Sequence, residues 1–304
     1  MALERKNFRG LYRKLAITVI AMALFASGCK TQEDAAAAAK QMASTSRELS
    51  DYYLSLDHIL AETEDSYQAQ FALQRVPPED LSETRAQIRL RADMADEIGN
   101  VSALFQKIAG SSAASDASAS AANLNAEVVS LKGMTSNDME TKLVTTGIKE
   151  IVALIQQHEE VQAARKVGPL CHNLSIFFDS EKASYLSIQE GYLKVARSVS
   201  KGMVSANQVD TSPVFLSALQ PFGLAPAVDR ASVKDNMQSY MMAQIEANYK
   251  LRLDEGQKAT NALSSSLKEM DARIELVAHD KPMQFREPPF SLETVKEWIS
   301  DVNK

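Results

Sequence analysis

The sequence predicts an all-α fold: an elongated antiparallel helical bundle with coiled-coil-like seams. Apolar residues recur at alternating gaps of three and four along several long stretches, the spacing of one face of a helix. Gly (11) and Pro (9) are scarce in 304 residues, so little interrupts those stretches. The period-two alternation of half-buried strands is almost missing, while Ala, Leu, Gln, Glu, Lys and Met are plentiful.

The expected elements follow in order. A first long helix spans about 32–75, opened by Thr31-Gln-Glu-Asp34, which is close to a capping box, and propagated by the Ala35–Ala39 run. Its seam is Met42, Leu49, Tyr53, Leu56, Leu60 and Tyr67. Val76-Pro77-Pro78-Glu79-Asp80 breaks it and starts a second helix that reaches about Ala109, with Met94, Ile98, Val101, Phe105 and Ile108 as its seam. A small polar loop at 110–116 and a short helix over about 116–132 come next. Asn137-x-x-Glu140 then caps a helix running to about Lys166, which Gly168-Pro169 should end.

The next helix, about 170–206, carries Phe178, Glu181, Tyr185, Ile188, Tyr192, Val195 and Val199 on one face. Another spans about 230–279, with Leu253, Gly256, Thr260, Leu263, Leu267, Met270, Ile274 and Val277 in the same alternation. Residues 281–289 form a proline-containing break. Ser291 should cap a short terminal helix bearing Trp298, with Phe290 and Val295 placed as a hydrophobic staple. The expected organisation is a leader over 1–28, a bundle over 29–280, and an extension with a short helix over 281–304.

The leader differs from the rest in charge and hydropathy. Five basic residues (Arg5, Lys6, Arg9, Arg13, Lys14) stand against Glu4, so it holds +4 of a formal total of −6 and leaves −10 for the remainder. So acidic a remainder argues against nucleic-acid binding, which needs clustered Lys and Arg, and against docking on anionic lipid through a basic face. Basic residues 1–14 precede an apolar run at 15–27, too short for an ordinary membrane span of about 20 residues. Ala26-Ser27-Gly28-Cys29 follows and resembles the lipobox of bacterial lipoproteins, with Ala26 where Leu is commonest.

The resemblance covers residues 1–29 only. It implies cleavage before Cys29, acylation of that cysteine (palmitate among the chains) and a lipid-anchored protein of the cell envelope. Lys30 replaces the Asp that tends to retain Gram-negative lipoproteins at the inner membrane. The resemblance therefore implies the periplasmic face of the outer membrane.

Candidate chemistry is thin. Cys171 adjoins His172, yet adjacent helical residues point about 100° apart, which favours a buried apolar cysteine over a nucleophile with its base. The other histidines are His58, His158 and His279. No Glu-x-x-His occurs, and His158 lacks the second His of a zinc-protease helix. Glu275 and His279, one turn apart, read as an exposed helical pair. Ser198-x-x-Lys201 and Ser265-x-x-Lys268 match a penicillin-binding signature without its Lys-Thr-Gly companion. Glu181 on a seam is either a buried acid or a bundle-edge acid reaching water. Tyr52, Tyr53, Tyr67, Tyr185 and Tyr192 read as core before they read as a ligand cavity. No enzyme activity, cofactor or metal is expected.

Residues 207–229 are the least helical stretch, with three prolines among apolar residues. Phe215, Leu216, Leu219, Phe222 and Leu224 would form a lid over the bundle end or an exposed site for a protein partner. The expected function is a membrane-anchored, non-enzymatic scaffold or interaction module, with the membrane met through lipid and envelope proteins as partners. A module holding an amphiphile between helices and an envelope hydrolase are the alternatives.

Overall fold

A computed structural model describes residues 4–75, 77–109, 160–210, 221, 234–279, 281 and 292–303, with side chains from Glu33 onward except at 73–74, 104, 107–109, 160–161, 163 and 234–236. The described residues form five helices and no strand, an all-α fold. They are α1 (Glu4–Gln74), α2 (Ser82–Ala109), α3 (Glu160–Ser205), α4 (Lys234–Ala278) and α5 (Glu293–Val302). The helices contribute to two compact units, each drawn from three stretches of chain.

The first unit takes in Met1–Arg47, Ala95–Asp179 and Ser264–Ser291. Its core is built from Met42 of α1, Ala95 and Phe105 of α2, Val167 and Phe178 of α3, and Leu267, Met270 and Ile274 of α4, all buried. α3 and α4 run antiparallel here: Arg165 Nε donates to the Ala278 carbonyl (2.8 Å), and His172 Nδ1 lies 2.9 Å from Asp271. Gly99 lets α2 approach α1 closely, since a Cβ there would already stand 3.4 Å from Arg47 Cγ.

The second unit takes in Glu48–Met94, Ser180–Leu263 and Leu292–Lys304. α2 is antiparallel to α1: Ser50 Oγ donates to the Ala92 carbonyl, while Asp57 and Glu64, further along α1, receive Arg85. α3 is parallel to α1, with Tyr53 meeting Tyr185 and Glu62 meeting Tyr192. α4 is antiparallel to α3, with Gln189 meeting Thr260 and Arg197 meeting Glu246. α5 lies beside α1 and α4 and buries Val295 and Trp298.

Two expected boundaries stand where the sequence puts them. α1 ends at Gln74 before the double proline, and α3 ends at Ser205. Seven of the eight seam residues expected on α4 are buried, Leu253 alone being half-exposed.

Other expectations need correction. α3 runs through Gly168-Pro169 instead of starting after it. Ala164, Val167, Cys171 and Phe178 are buried on both sides of the proline along one face, and the exposed Pro169 sits on the other. Burial on either side outweighs the roughly 3 kcal/mol that a proline costs within a helix.

On α2 the expected seam residues Ile98, Val101 and Phe105 are buried, together with Ile88, Ala92, Ala95 and Ser102; Met94 is half-exposed, and the Ile108 side chain lies outside the described residues. α5 begins at Glu293 with Leu292 as N-cap and no side-chain cap bond, one residue past the expected serine. Ser291 and Phe290 lie outside the described residues, as do the loop and short helix expected over 110–132, the helix expected from 137 up to Glu160, and His158.

Candidate functional site

The densest polar and aromatic cluster among the described residues lies inside the second unit. α1 brings Tyr52 and Tyr53 inward as neighbours. A helix face holding two consecutive tyrosines must be enclosed on more than one side, and here Leu49, Leu56, Ile59 and Leu60 are buried with them. α3 adds Tyr185 and Gln189, one turn apart, and α4 adds Gly256 and Thr260, also one turn apart.

The rings meet edge to face. Centroids lie 6.1 Å apart for Tyr52 and Tyr53, 6.2 Å for Tyr52 and Tyr185, and 5.5 Å for Tyr53 and Tyr185. Trp298 of α5 closes the cluster, tilted over Tyr52 at 5.0 Å.

Two hydrogen-bond chains saturate the hydroxyls. Tyr52 Oη and Thr260 Oγ1 lie 2.8 Å apart, and Gln189 Nε2 donates to both, at 2.9 and 3.2 Å. Tyr53 Oη lies 3.2 Å from Tyr185 Oη, which donates to Glu181 Oε2 at 2.9 Å, and Glu181 is held by Arg91 at 2.8 Å. Burial dominates their acidity: it pushes the Tyr53 phenol up to about 12 and raises Tyr52 and Tyr185 further, Tyr185 also under the influence of Tyr53 and Glu181. Phenols so placed stay protonated across the neutral range, as donors within the core. Gln189, one position off the expected seam residue Ile188, is only 4% exposed.

Gly256 explains its own presence in a helix, where glycine costs about 1 kcal/mol against alanine. A Cβ there would stand 2.0 Å from Gln189 Oε1 and 3.3 Å from Trp298 Nε1. The bare backbone lets α3 and α5 both approach α4 at one point. Polar contacts at the margins hold α5 in this seat: Lys296 to Glu48 at 3.4 Å, Arg252 to Asp301 at 3.0 Å, and Asn303 Nδ2 donating to Ser55 Oγ at 3.3 Å. Burial raises the Glu48 carboxyl while Lys296 opposes the rise. Beside α5 lies an open hollow of about 680 Å³ whose lining carries charges of both signs, Glu255 and Lys258 from α4 facing Glu297 and Asp301 from α5.

The residues singled out in the sequence fall as follows. Cys171 is fully buried in the first unit, its thiol 3.1 Å from Met42 Sδ and raised in pKa by burial and then by Asp271. His172 points instead to Asp271, so the two do not form a pair. Glu275 and His279 are an exposed pair at 3.2 Å. Glu181 is neither isolated in the core nor free in water but bridges Tyr185 and Arg91. Lys201 is taken by Glu246 and Lys268 by Asp179, which leaves neither lysine on its Ser-x-x-Lys serine. Tyr192 is half-buried on Glu62, and Tyr67 is bound to Glu79 near the surface.

Cys29 and the leader's side chains lie outside the described residues, as do Phe215, Leu216, Leu219, Phe222 and Leu224. Among the described residues no three of His, Cys, Asp and Glu group to hold a metal ion, and no helix is long and apolar enough to cross a membrane. Set against known protein families, curated proteins and solved structures, the chain matches none of them.

Proposed function

We propose that this protein is a lipid-anchored, non-enzymatic helical scaffold or protein-interaction module of the bacterial cell envelope, held by acyl chains on Cys29. The observation that carries this reading is the order of the leader: a basic start, an apolar run at 15–27, and Ala26-Ser27-Gly28-Cys29 at its end. A single acyl chain binds a membrane only marginally, at about 0.8 kcal/mol per buried methylene, so the two or three chains that the lipobox implies make a stable anchor. Lys30 favours the outer membrane, facing the periplasm, in a Gram-negative host.

The acidic remainder, −10 by formal charge, suits protein partners better than nucleic acid or a basic lipid-docking face. The most unusual side chains of the described residues also serve structure. The buried tyrosines saturate one another and Gln189, and the lone described thiol faces Met42. The apolar residues Phe215, Leu216, Leu219, Phe222 and Leu224 remain the sequence's own candidates for a partner site.

Fractionation of the native host expressing the Cys29→Ser variant tests the anchor. Loss of membrane association with the chain intact supports the reading, and unchanged membrane association in that variant counts against acylation.

A further inference from the structure

The seat of α5 is complete without α5. Its walls come from α1 (Glu48, Tyr52, Ser55) and from α4 (Arg252, Gly256). The polar groups beneath are paired among themselves, since Gln189 Nε2 donates to Tyr52 and Thr260 and needs nothing from α5. The absent side chain at Gly256 opens a slot that the Trp298 indole fills, its Nε1 only 3.3 Å from where a Cβ would be. α5 buries two residues three apart, Val295 and Trp298; its polar attachments include the marginal contacts of Lys296, Asp301 and Asn303. Half-exposed ion pairs hold weakly. No side chain caps the first turn, and ten residues are too few to hold a helix alone in water. An aromatic anchor in a preformed slot, an apolar neighbour one turn away and a polar rim are the means by which a groove recognises an amphipathic helix.

We propose that α5 is a displaceable clasp, and that the α1–α4 groove beneath it is the docking site for an amphipathic helix of a partner protein bearing an aliphatic residue followed three positions later by tryptophan. The occupant's chemistry is read from α5: an indole over Tyr52 and against Gly256, a base near Glu48 and a carboxylate near Arg252. While seated, α5 competes from within the chain, so a partner binds more weakly by the fraction of molecules in which the groove is open. The groove needs no lipid anchor, and failure of either proposal leaves the other standing.

The test uses a fluorescein-labelled peptide of residues 292–304 and the purified full chain, followed by fluorescence anisotropy. Trp298→Ala in the chain removes the tethered competitor's anchor but leaves the groove. The expected result is peptide binding at least about ten-fold tighter to Trp298→Ala than to the unaltered protein, with a loss of far-UV helical content no larger than the ten residues of α5. An unlabelled peptide with alanine in place of its tryptophan should fail to displace the label.

Equal affinities, no binding to a folded Trp298→Ala chain, or a loss of helical content beyond the ten residues of α5 would overturn the proposal, the last by showing α5 to be integral to the unit. A dimer that dissociates on Trp298→Ala would assign the groove to α5 of a second copy and overturn the partner-helix assignment.

Discussion

Tyr52 and Tyr53 occupy consecutive positions on α1, yet both are almost wholly buried, and each hydroxyl finds a partner on another helix. A buried hydroxyl left unpaired costs about 1–3 kcal/mol, so these bonds act chiefly by excluding other arrangements of the same helices. They also make stability depend on alkaline pH. An unfolded tyrosine ionises near pH 10, whereas folded Tyr53 holds its proton to about 12. Because the folded-state pKa is the higher one, the stabilisation is fully present below pH 10 and is lost as pH rises toward 12. In a spectrophotometric pH titration, tyrosinate absorbance from the buried phenols should therefore appear together with loss of far-UV helix signal, at pH 10–12. Full tyrosine ionisation near pH 10 with the helices intact would contradict the placement.

The sequence made Tyr53 and Tyr185 legible as seam residues because they are large and apolar in body. Gln189 was hidden because the three-four alternation places the seam on its neighbour Ile188, which is half-exposed, while Gln189 is the buried one. Gly256 in an otherwise regular seam was the local sign that two helices approach there.

The seam of α4 was readable almost residue for residue, because its buried side is narrow and filled by Leu, Met, Ile and Val. On α2 the large seam residues Ile98, Val101 and Phe105 were readable in the same way, while the small Ala92, Ala95 and Ser102 buried beside them carry no signal for a pattern that searches for large apolar residues. α1 is buried over more than half its circumference between Ala35 and Thr63, and a single heptad stripe undercounts such a helix.

The α3 boundary failed for a different reason: a local stop signal lost to tertiary burial on both sides of it. Pro169 lacks the N–H that would reach the Arg165 carbonyl, and its ring is exposed. Pro169→Ala should restore that bond without disturbing the buried face. The expected outcome is a stabilisation of about 1–3 kcal/mol in urea unfolding, the upper end being the cost of a proline in mid-helix. A loss of stability would mean that the proline marks a break which the chain needs.

At the scale of the molecule, the all-α class followed from composition and periodicity, because long helices leave the same signature at every turn. The division into two compact units did not. Each unit gathers three distant stretches, and nothing local in a helix says where its neighbours change. The proposed function rests on the leader alone, because a lipobox would be read by processing enzymes as a linear motif in an unfolded chain and so needs no fold to be legible. The groove under α5 was invisible to that reading, since it exists only once α1, α4 and a C-terminal helix come together in space. The acidic bundle and the leader suit each other: one would give a surface for partners, the other a place to stand.

Intact-mass analysis of the protein purified from its native host tests that account most directly. The expected mass is that of a chain starting at Cys29 plus a diacylglyceryl group, with or without a further acyl chain. A mass corresponding to an unmodified Met1 start, or to a mature start at any other residue, would contradict it.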